Sequence, residues 1–399
     1  MADPNYRNAV LRDITDSDLS RRGRLGRVAV IAVALAILAA TVIAVQPKPA
    51  SRASSPHATP PPLPRSGGLI AADVQGSGLW LATGGADSTS RLWQGSDDGR
   101  TWSSLGLPEV QGDVFWLHRS RQGSAYLVTA GRGGEYLLSV DDGAVHWHSY
   151  ALPHPPGTNL DSITFTADGH GVALFVGEGS TGRPAYLYSS VDGAQWQLAA
   201  GVDAGAVTSS GLTLDSRTGP IAFADAMHGI MASGSRGVYV TADGGQDWTF
   251  HPLPAPPGDF PLGPDPVTVA AVDGAYLLGM AFRAAISPAA AFVYQSLDGG
   301  TTWSKPISAP TDDGFLAPAF AGSRVWWIGS GKAVLMSSDG GRNWLRGALD
   351  IPGTARVRSI YPLDDRRAWA FAGGAGGLPQ LLFETIDGGT TWSARKPPA

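Results

Sequence analysis

Beyond residue 68 the chain is written in short apolar runs of three to six residues separated by turn-forming clusters, too short for helices and spaced for strands. Two stretches show the unit in the same register. Ile163-Thr164-Phe165 leads through Asp168-Gly169-His170-Gly171 into Val172-Ala173-Leu174-Phe175-Val176, and Ile221-Ala222-Phe223 leads through Asp225 and His228-Gly229 into Ile230-Met231-Ala232. Each reads as two strands joined by a tight turn. The N-terminal part follows another pattern: Val28 to Val45 is an 18-residue run without a charge, at the lower limit for a helix crossing a hydrocarbon core of about 30 Å.

Downstream of each strand pair a motif recurs that ends in tryptophan. Ser296-Leu297-Asp298-Gly299-Gly300-Thr301-Thr302-Trp303 and Thr385-Ile386-Asp387-Gly388-Gly389-Thr390-Thr391-Trp392 are the fullest copies, with Ser337 to Trp344 around Asp339 and Thr241 to Trp248 around Asp243 close behind. Three copies are degraded. Gly95 replaces the leading Ser before Asp97 and Trp102; Ser139 to Trp147, around Asp141, has one extra residue; and Ser189 to Trp196 has Val191 where Asp is expected, with Asp192 following. The tryptophans are spaced by 45, 49, 52, 55, 41 and 48 residues, the length of a four-stranded propeller blade. The chemistry of the motif is that of a turn: Asp accepts backbone N–H groups, Gly takes positive φ, Ser or Thr adds a local bond, and Trp opens the next strand with an indole to pack between sheets.

These residues resemble the Asp-box, or BNR, repeat of sialidases, sortilin-type receptors, xyloglucanases and photosystem II assembly factors, over about residues 69 to 399. The expected fold is all-β: a single seven-bladed propeller at 68–399, each blade with strands a to d. The resemblance implies that the boxes lie on outer hairpins away from the functional face. The turns joining a to b and the boxes joining c to d then share one end of the disc. The b–c and d–a loops share the other, where Leu198 to Pro220 and Pro252 to Pro266 supply long irregular sequence.

Composition narrows the chemistry. The 399 residues contain no cysteine, which removes disulfides, thiolate metal sites and cysteine nucleophiles. Only four glutamates occur, Glu109, Glu135, Glu178 and Glu384. Arg21, Arg22, Arg24 and Arg27 precede the apolar run, so the expected layout is a cytoplasmic tail at 1–27, a signal-anchor helix at 28–45, a Pro/Ser/Ala-rich linker at 46–67, and an extracytoplasmic propeller at a cell membrane. A cleaved signal peptide is the alternative. Residues beyond 67 carry 20 basic and 30 acidic side chains, which leaves no footprint for nucleic acid.

Candidate binding residues are the cations at the b–c positions of six blades, Arg91, Arg132, Arg183, Arg236, Arg283 and Lys332, which together would offer a ring to a carboxylate, a phosphate or an acidic partner. Photosystem assembly factors of this type use an arginine-lined patch to dock a partner, and the resemblance implies the same use here. Other motifs have plainer readings. Gly177-Glu178-Gly179-Ser180-Thr181-Gly182 is followed by a strand-like run, unlike a dinucleotide fingerprint, and Gly329-Ser330-Gly331-Lys332 is followed by Ala333 where a phosphate loop needs Ser or Thr. His146 and His148 flank a box tryptophan without a third ligand. A sialidase would announce itself with Phe-Arg-Ile-Pro in the first blade, whereas Phe282-Arg283 is followed by Ala284-Ala285 in the fifth. The expectation is a non-catalytic, monomeric protein-binding or assembly scaffold without metal or cofactor; the alternative is an exo-glycosidase of sialidase or xyloglucanase type.

Overall fold

The computed structural model describes residues 69–398 apart from 76–77, 85–89, 97–99, 109–111, 120–123, 132–133, 141–145, 167, 178–183, 203–211, 213–218, 234–236, 259–266, 283–289, 311–315 and 375–380. Twenty-eight strands form seven antiparallel sheets of four, each built from one continuous stretch of chain. Blade 1 holds β1 (Leu69–Gln75), β2 (Gly78–Gly84), β3 (Ser90–Gly95) and β4 (Trp102–Leu105). Blade 2 holds β5 (Asp113–Arg119), β6 (Ala125–Gly131), β7 (Gly134–Val140) and β8 (Trp147–Ala151). Blade 3 holds β9 (Thr158–Phe165), β10 (Gly171–Gly177), β11 (Ala185–Ser190) and β12 (Gln197–Val202). Blade 4 holds β13 (Ile221–Phe223), β14 (Gly229–Ser233), β15 (Gly237–Thr241) and β16 (Thr249–Pro252). Blade 5 holds β17 (Val267–Val272), β18 (Ala275–Phe282), β19 (Ala290–Ser296) and β20 (Ile307–Ala309). Blade 6 holds β21 (Ala319–Phe320), β22 (Trp326–Ser330), β23 (Ala333–Ser337) and β24 (Leu345–Ala348). Blade 7 holds β25 (Arg356–Pro362), β26 (Ala368–Gly373), β27 (Leu381–Thr385) and β28 (Ser393–Arg395). The fold is therefore the expected seven-bladed β-propeller.

Burial explains the apolar pattern. The second strand of each blade is covered on both faces by neighbouring sheets, so β10, β14, β18, β22 and β26 are buried at every position and read as unbroken apolar runs. The fourth strand lies at the rim; β4, β8 and β16 contain no fully buried residue. The core is accordingly a ring of wedges between blades. Trp80, Leu92, Val114 and Leu127 fill the wedge between blades 1 and 2, and Trp327, Val334, Val357 and Phe383 that between 6 and 7. Leu69, Leu79, Leu81, Trp369 and Phe371 close the ring between blades 7 and 1. First strands of neighbouring blades meet, β1 with β5 and β25, β13 with β9 and β17, and they surround the axis.

The box turns follow the expected chemistry. Ser296 Oγ donates to Asp298 Oδ1 at 2.8 Å, the Gly300 N–H donates to Ser296 Oγ at 2.9 Å, and the Thr302 N–H donates to Asp298 Oδ1 at 2.9 Å. Gly299 and Gly300 hold φ of 72° and 92°, which a side chain would oppose. The turns at Asp243, Asp339 and Asp387 repeat this pattern. The third copy differs from its sequence reading. Ser190, not Ser189, donates to Asp192, which also accepts the Ala194 and Gln195 N–H groups, so the turn is one residue shorter and its Asp is intact. Asp97 and Asp141 lie outside the described residues.

The box indoles are less enclosed than expected. Trp248 is buried, but Trp102, Trp147, Trp196, Trp303, Trp344 and Trp392 are half-buried, because they stand at the head of the outermost strand where one side of the sheet meets solvent. In the turns ending at 196, 248, 303 and 344 the indole N–H donates to the carbonyl of the glycine three residues earlier, at 2.8 to 3.1 Å. The fully enclosed tryptophans are Trp326, Trp327 and Trp369, on second strands.

Among the described residues no helix is long and apolar enough to cross a membrane. The run at 28–45, the leading arginines and the linker at 46–67 lie outside those residues.

Candidate binding face

Strand order fixes two ends. The a–b and box turns gather at one end of the disc, the b–c turns and d–a connections at the other. Arg91 is the second residue of β3 and exposed, and Lys332 is exposed in the turn between β22 and β23. That turn is tied on both sides: the Leu349 N–H donates to Lys332 O and the Val357 N–H to Gly331 O, each at 2.9 Å. Gly331 has φ of 62°, and a strand follows, as the sequence indicated for a hairpin rather than a phosphate loop. Likewise β11 follows the segment after Gly177. Arg132, Arg183, Arg236 and Arg283 lie outside the described residues, so the structure brings two members of the sequence ring to this end, on blades 1 and 6.

Blade 7, between them, adds two cations that sequence reasoning missed. Arg356 and Arg358 open β25 at the same end and are exposed. Arg358 donates through Nη2 to Gly374 O at 2.6 Å and through Nε to Gly373 O at 3.4 Å, so carbonyls of the b–c turn orient its guanidinium. Neither stands at a b–c position of the repeat. The signal was the alternation Arg356-Val357-Arg358 at the head of a first strand, where none of its counterparts begins with a cation.

The two described glutamates have different surroundings. Glu135, second in β7, accepts the Leu160 N–H on Oε1 at 3.3 Å while Oε2 has no hydrogen-bond partner. Burial pushes its carboxyl above the usual range, opposed by the Leu160 N–H and by His154. Ser90, at the head of β3, does comparable work one blade earlier, accepting the Val114 N–H at 2.8 Å and donating to Asp113 at 3.2 Å. Glu135 thus occupies a latch position between blades 2 and 3. Glu384 is buried against Arg395 at 2.8 Å and Arg367 at 3.7 Å, a packing role beside its box. Glu109 and Glu178 lie outside the described residues.

The opposite end carries similar latches. Asp73 accepts the Arg119 N–H, the Arg119 guanidinium lies 4.8 Å from the Trp80 ring centroid, and burial holds the nearby His118 imidazole down to about 4. His170 and His228 accept equivalent backbone bonds in the a–b turns of blades 3 and 4, which marks them as repeat features. His146 and His148 are exposed beside half-buried Trp147. Among the described residues no three His, Asp or Glu side chains are grouped to hold a metal ion.

No protein-family model matches the chain. Its fold is that of YCF48 solved with a D1 peptide, at a TM-score of 0.53 and 15% identity over 81% of this chain and 95% of that one. Oligogalacturonate lyase from Vibrio parahaemolyticus superposes equally well, at 0.53 and 10% identity over 82% and 93%. Among curated proteins, a Paenibacillus xyloglucanase is 31% identical over 112 residues, 27% of this chain, and the match spans a tenth of that enzyme's length. What the chain shares with the two solved structures is the fold, which serves both a protein solved with a peptide and a lyase.

Proposed function

We propose that the chain is a membrane-tethered, extracytoplasmic β-propeller of the Asp-box type that holds a protein partner on its b–c and d–a end and catalyses no reaction. The observation that carries this is the cationic sector on blades 6, 7 and 1, where Lys332, Arg356, Arg358 and Arg91 stand exposed and Arg358 is oriented by two carbonyls. An oriented guanidinium suits recognition of a carboxylate. The likeness in fold to YCF48, whose structure contains a D1 peptide, is consistent with a peptide-binding use of such a disc. The tether is the 28–45 run, with its arginine-rich leader on the cytoplasmic side.

The test places a photo-reactive phenylalanine in turn at Arg91, Lys332 and the box-turn Arg342 of the full chain in its own membrane. Protein crosslinks from the first two positions and none from Arg342 are expected; equal yields from all three, or none at all, would overturn the reading. The partial match to a xyloglucanase favours a second reading, in which the propeller is part of a glycosidase. Xyloglucan hydrolysis by the purified chain, abolished in Glu135→Gln, would put that reading in its place.

A further inference from the structure

The box end of the disc carries more than its turns require. At the second place of the box the side chain stands in solvent whatever it is: Ala242 and Ser338 on blades 4 and 6, Val191, Leu297 and Ile386 on blades 3, 5 and 7. The turn itself asks for no aliphatic there. Yet Val191 is 80% exposed and Leu297 74%, and between them, in the a–b turn of blade 4, Met227 is 47% exposed. Met227 serves its turn through backbone bonds alone, donating to Asp225 and accepting from Gly244. Single exposed apolar residues are ordinary, whereas three on consecutive blades at one end form a patch. The next-to-last place of the box departs from its rule in the same sector. Thr302, Asn343 and Thr391 each donate a side-chain hydrogen to the second oxygen of the box aspartate, at 2.5, 2.7 and 2.6 Å. Blade 4 has Asp247 there, whose carboxylate has no hydrogen to give and joins Asp243 in the same turn.

Charge sets this sector apart. The a–b and box turns of blades 3, 4 and 5 contain seven aspartates and no Lys or Arg, while those of blades 6 and 7 carry Arg324, Arg342, Arg366 and Arg367 beside their aspartates. Most of the seven are turn residues that the repeat demands, and alone they would mean nothing. Asp247 and the side chains of Val191, Met227 and Leu297 are not demanded. We propose that this sector docks a basic amphipathic helix of a partner protein, with its apolar stripe on Val191, Met227 and Leu297 and its cations facing the aspartates. Complementary charge selects a basic partner, and the apolar stripe seats it. An anionic lipid surface would be repelled by the same aspartates. Neighbouring sheets stand about 10 Å apart, so the three contacts span about 20 Å, the length of about fourteen helical residues. The sector lies at the opposite end of the disc from the cationic one, and the proposal does not rest on the role assigned there.

The probe is a fluorescein-labelled peptide of lysine, alanine and leucine, about fourteen residues long with a leucine at every third or fourth place, compared by anisotropy with a scrambled isomer that lacks this period. The full chain in phosphatidylcholine nanodiscs is used, with empty nanodiscs as the blank. The amphipathic peptide is expected to bind about tenfold more tightly than the isomer, a difference of about 1.4 kcal/mol, and to weaken as salt is raised. Val191→Ser together with Leu297→Ser should weaken it about tenfold at an unchanged melting temperature. Ile386→Ser, at an exposed aliphatic whose turn on blade 7 contacts Arg366, should leave binding as it was. Asp247→Thr restores the donor that Thr302 supplies, and should raise the melting temperature while weakening the peptide several-fold, a pairing that a merely structural residue would not show. Equal binding of the two isomers, indifference to the double variant, or an equal loss in Ile386→Ser overturns the proposal. Concentration-dependent sedimentation of the chain alone, abolished in the double variant, also overturns it by making a second copy the occupant. Arg342 of the crosslinking test belongs to blade 6 and lies outside this sector, so either reading can fail without the other.

Discussion

At the scale of single residues, the box aspartates show how local chemistry holds this fold. Bonds from the Thr302 hydroxyl, the Thr302 N–H and the Ser296 hydroxyl bring the Asp298 carboxyl down to about 2, and those from the Asn343 N–H and side-chain amide bring Asp339 down to about 2, against an ordinary 3.8. The folded state therefore favours the ionised form more than the unfolded chain does. As pH falls, the unfolded chain takes up the proton first, so the contribution is whole above 3.8 and is lost on the way down to about 2. Asp298→Asn is expected to lower the melting temperature at pH 6, and the gap from the parent should close by pH 2. Thermal melts across that range check the sign; a gap that widened in acid would contradict these bonds. Such turns were legible in the sequence because every donor lies within four residues of its acceptor. The third copy was misaligned by one position because Ser189 and Ser190 both offer a hydroxyl, and only backbone geometry selects Ser190.

Among elements, the second strands hold the blades together more than the box tryptophans do. Trp369 on β26 is 1% exposed and packs among Leu69, Leu79 and Phe371, while Trp303 keeps one side in solvent. Trp369→Ala should cost about 3–5 kcal/mol, within the range for large buried aromatics, and Trp303→Ala about 2 kcal/mol. Denaturant titration of both variants measures the difference, and the reverse order would refute the burial argument. The sequence placed the blades through their evenly spaced turns, since the repeat is local and periodic. It did not disclose the bulge at Arg358, because register belongs to two strands at once, and Arg358 differs from an in-register arginine only through Ala372 and Phe371 across the sheet. By the same limit Arg356 and Arg358, at the head of a first strand, have no signature within the repeat. The irregular stretch expected from Leu198 was also shorter than it read, because β12 continues to Val202 and Leu212 is buried between blades 3 and 4.

On the scale of the whole molecule, the ring closes without a strand shared between its ends, since blade 1 is built wholly from its own N-terminal stretch and blade 7 from the last. The seam between blades 7 and 1 depends on side chains. Its apolar wedge includes Leu69, Leu81, Trp369 and Phe371, and at the rim the Trp102 indole N–H donates to Lys396 O at 3.0 Å, across 294 residues of sequence. Trp147 makes the matching bond to Gly106 O at 2.8 Å, one seam further on. The first two of the three degraded boxes thus lend their indoles to the preceding blade, whereas the turns ending at 196, 248, 303 and 344 keep theirs. Trp102→Phe retains the ring and removes the donor, for a loss of about 1 kcal/mol. That loss should be local: amide exchange is expected to quicken in β1 and β28 while β13 to β16 keep their protection, because blade 4 lies across the ring from the seam. Deleting residues 396 to 399 should give the same pattern. Uniform quickening in all seven blades would instead mean that the ring opens as one cooperative unit and that the seam is no weaker than its neighbours.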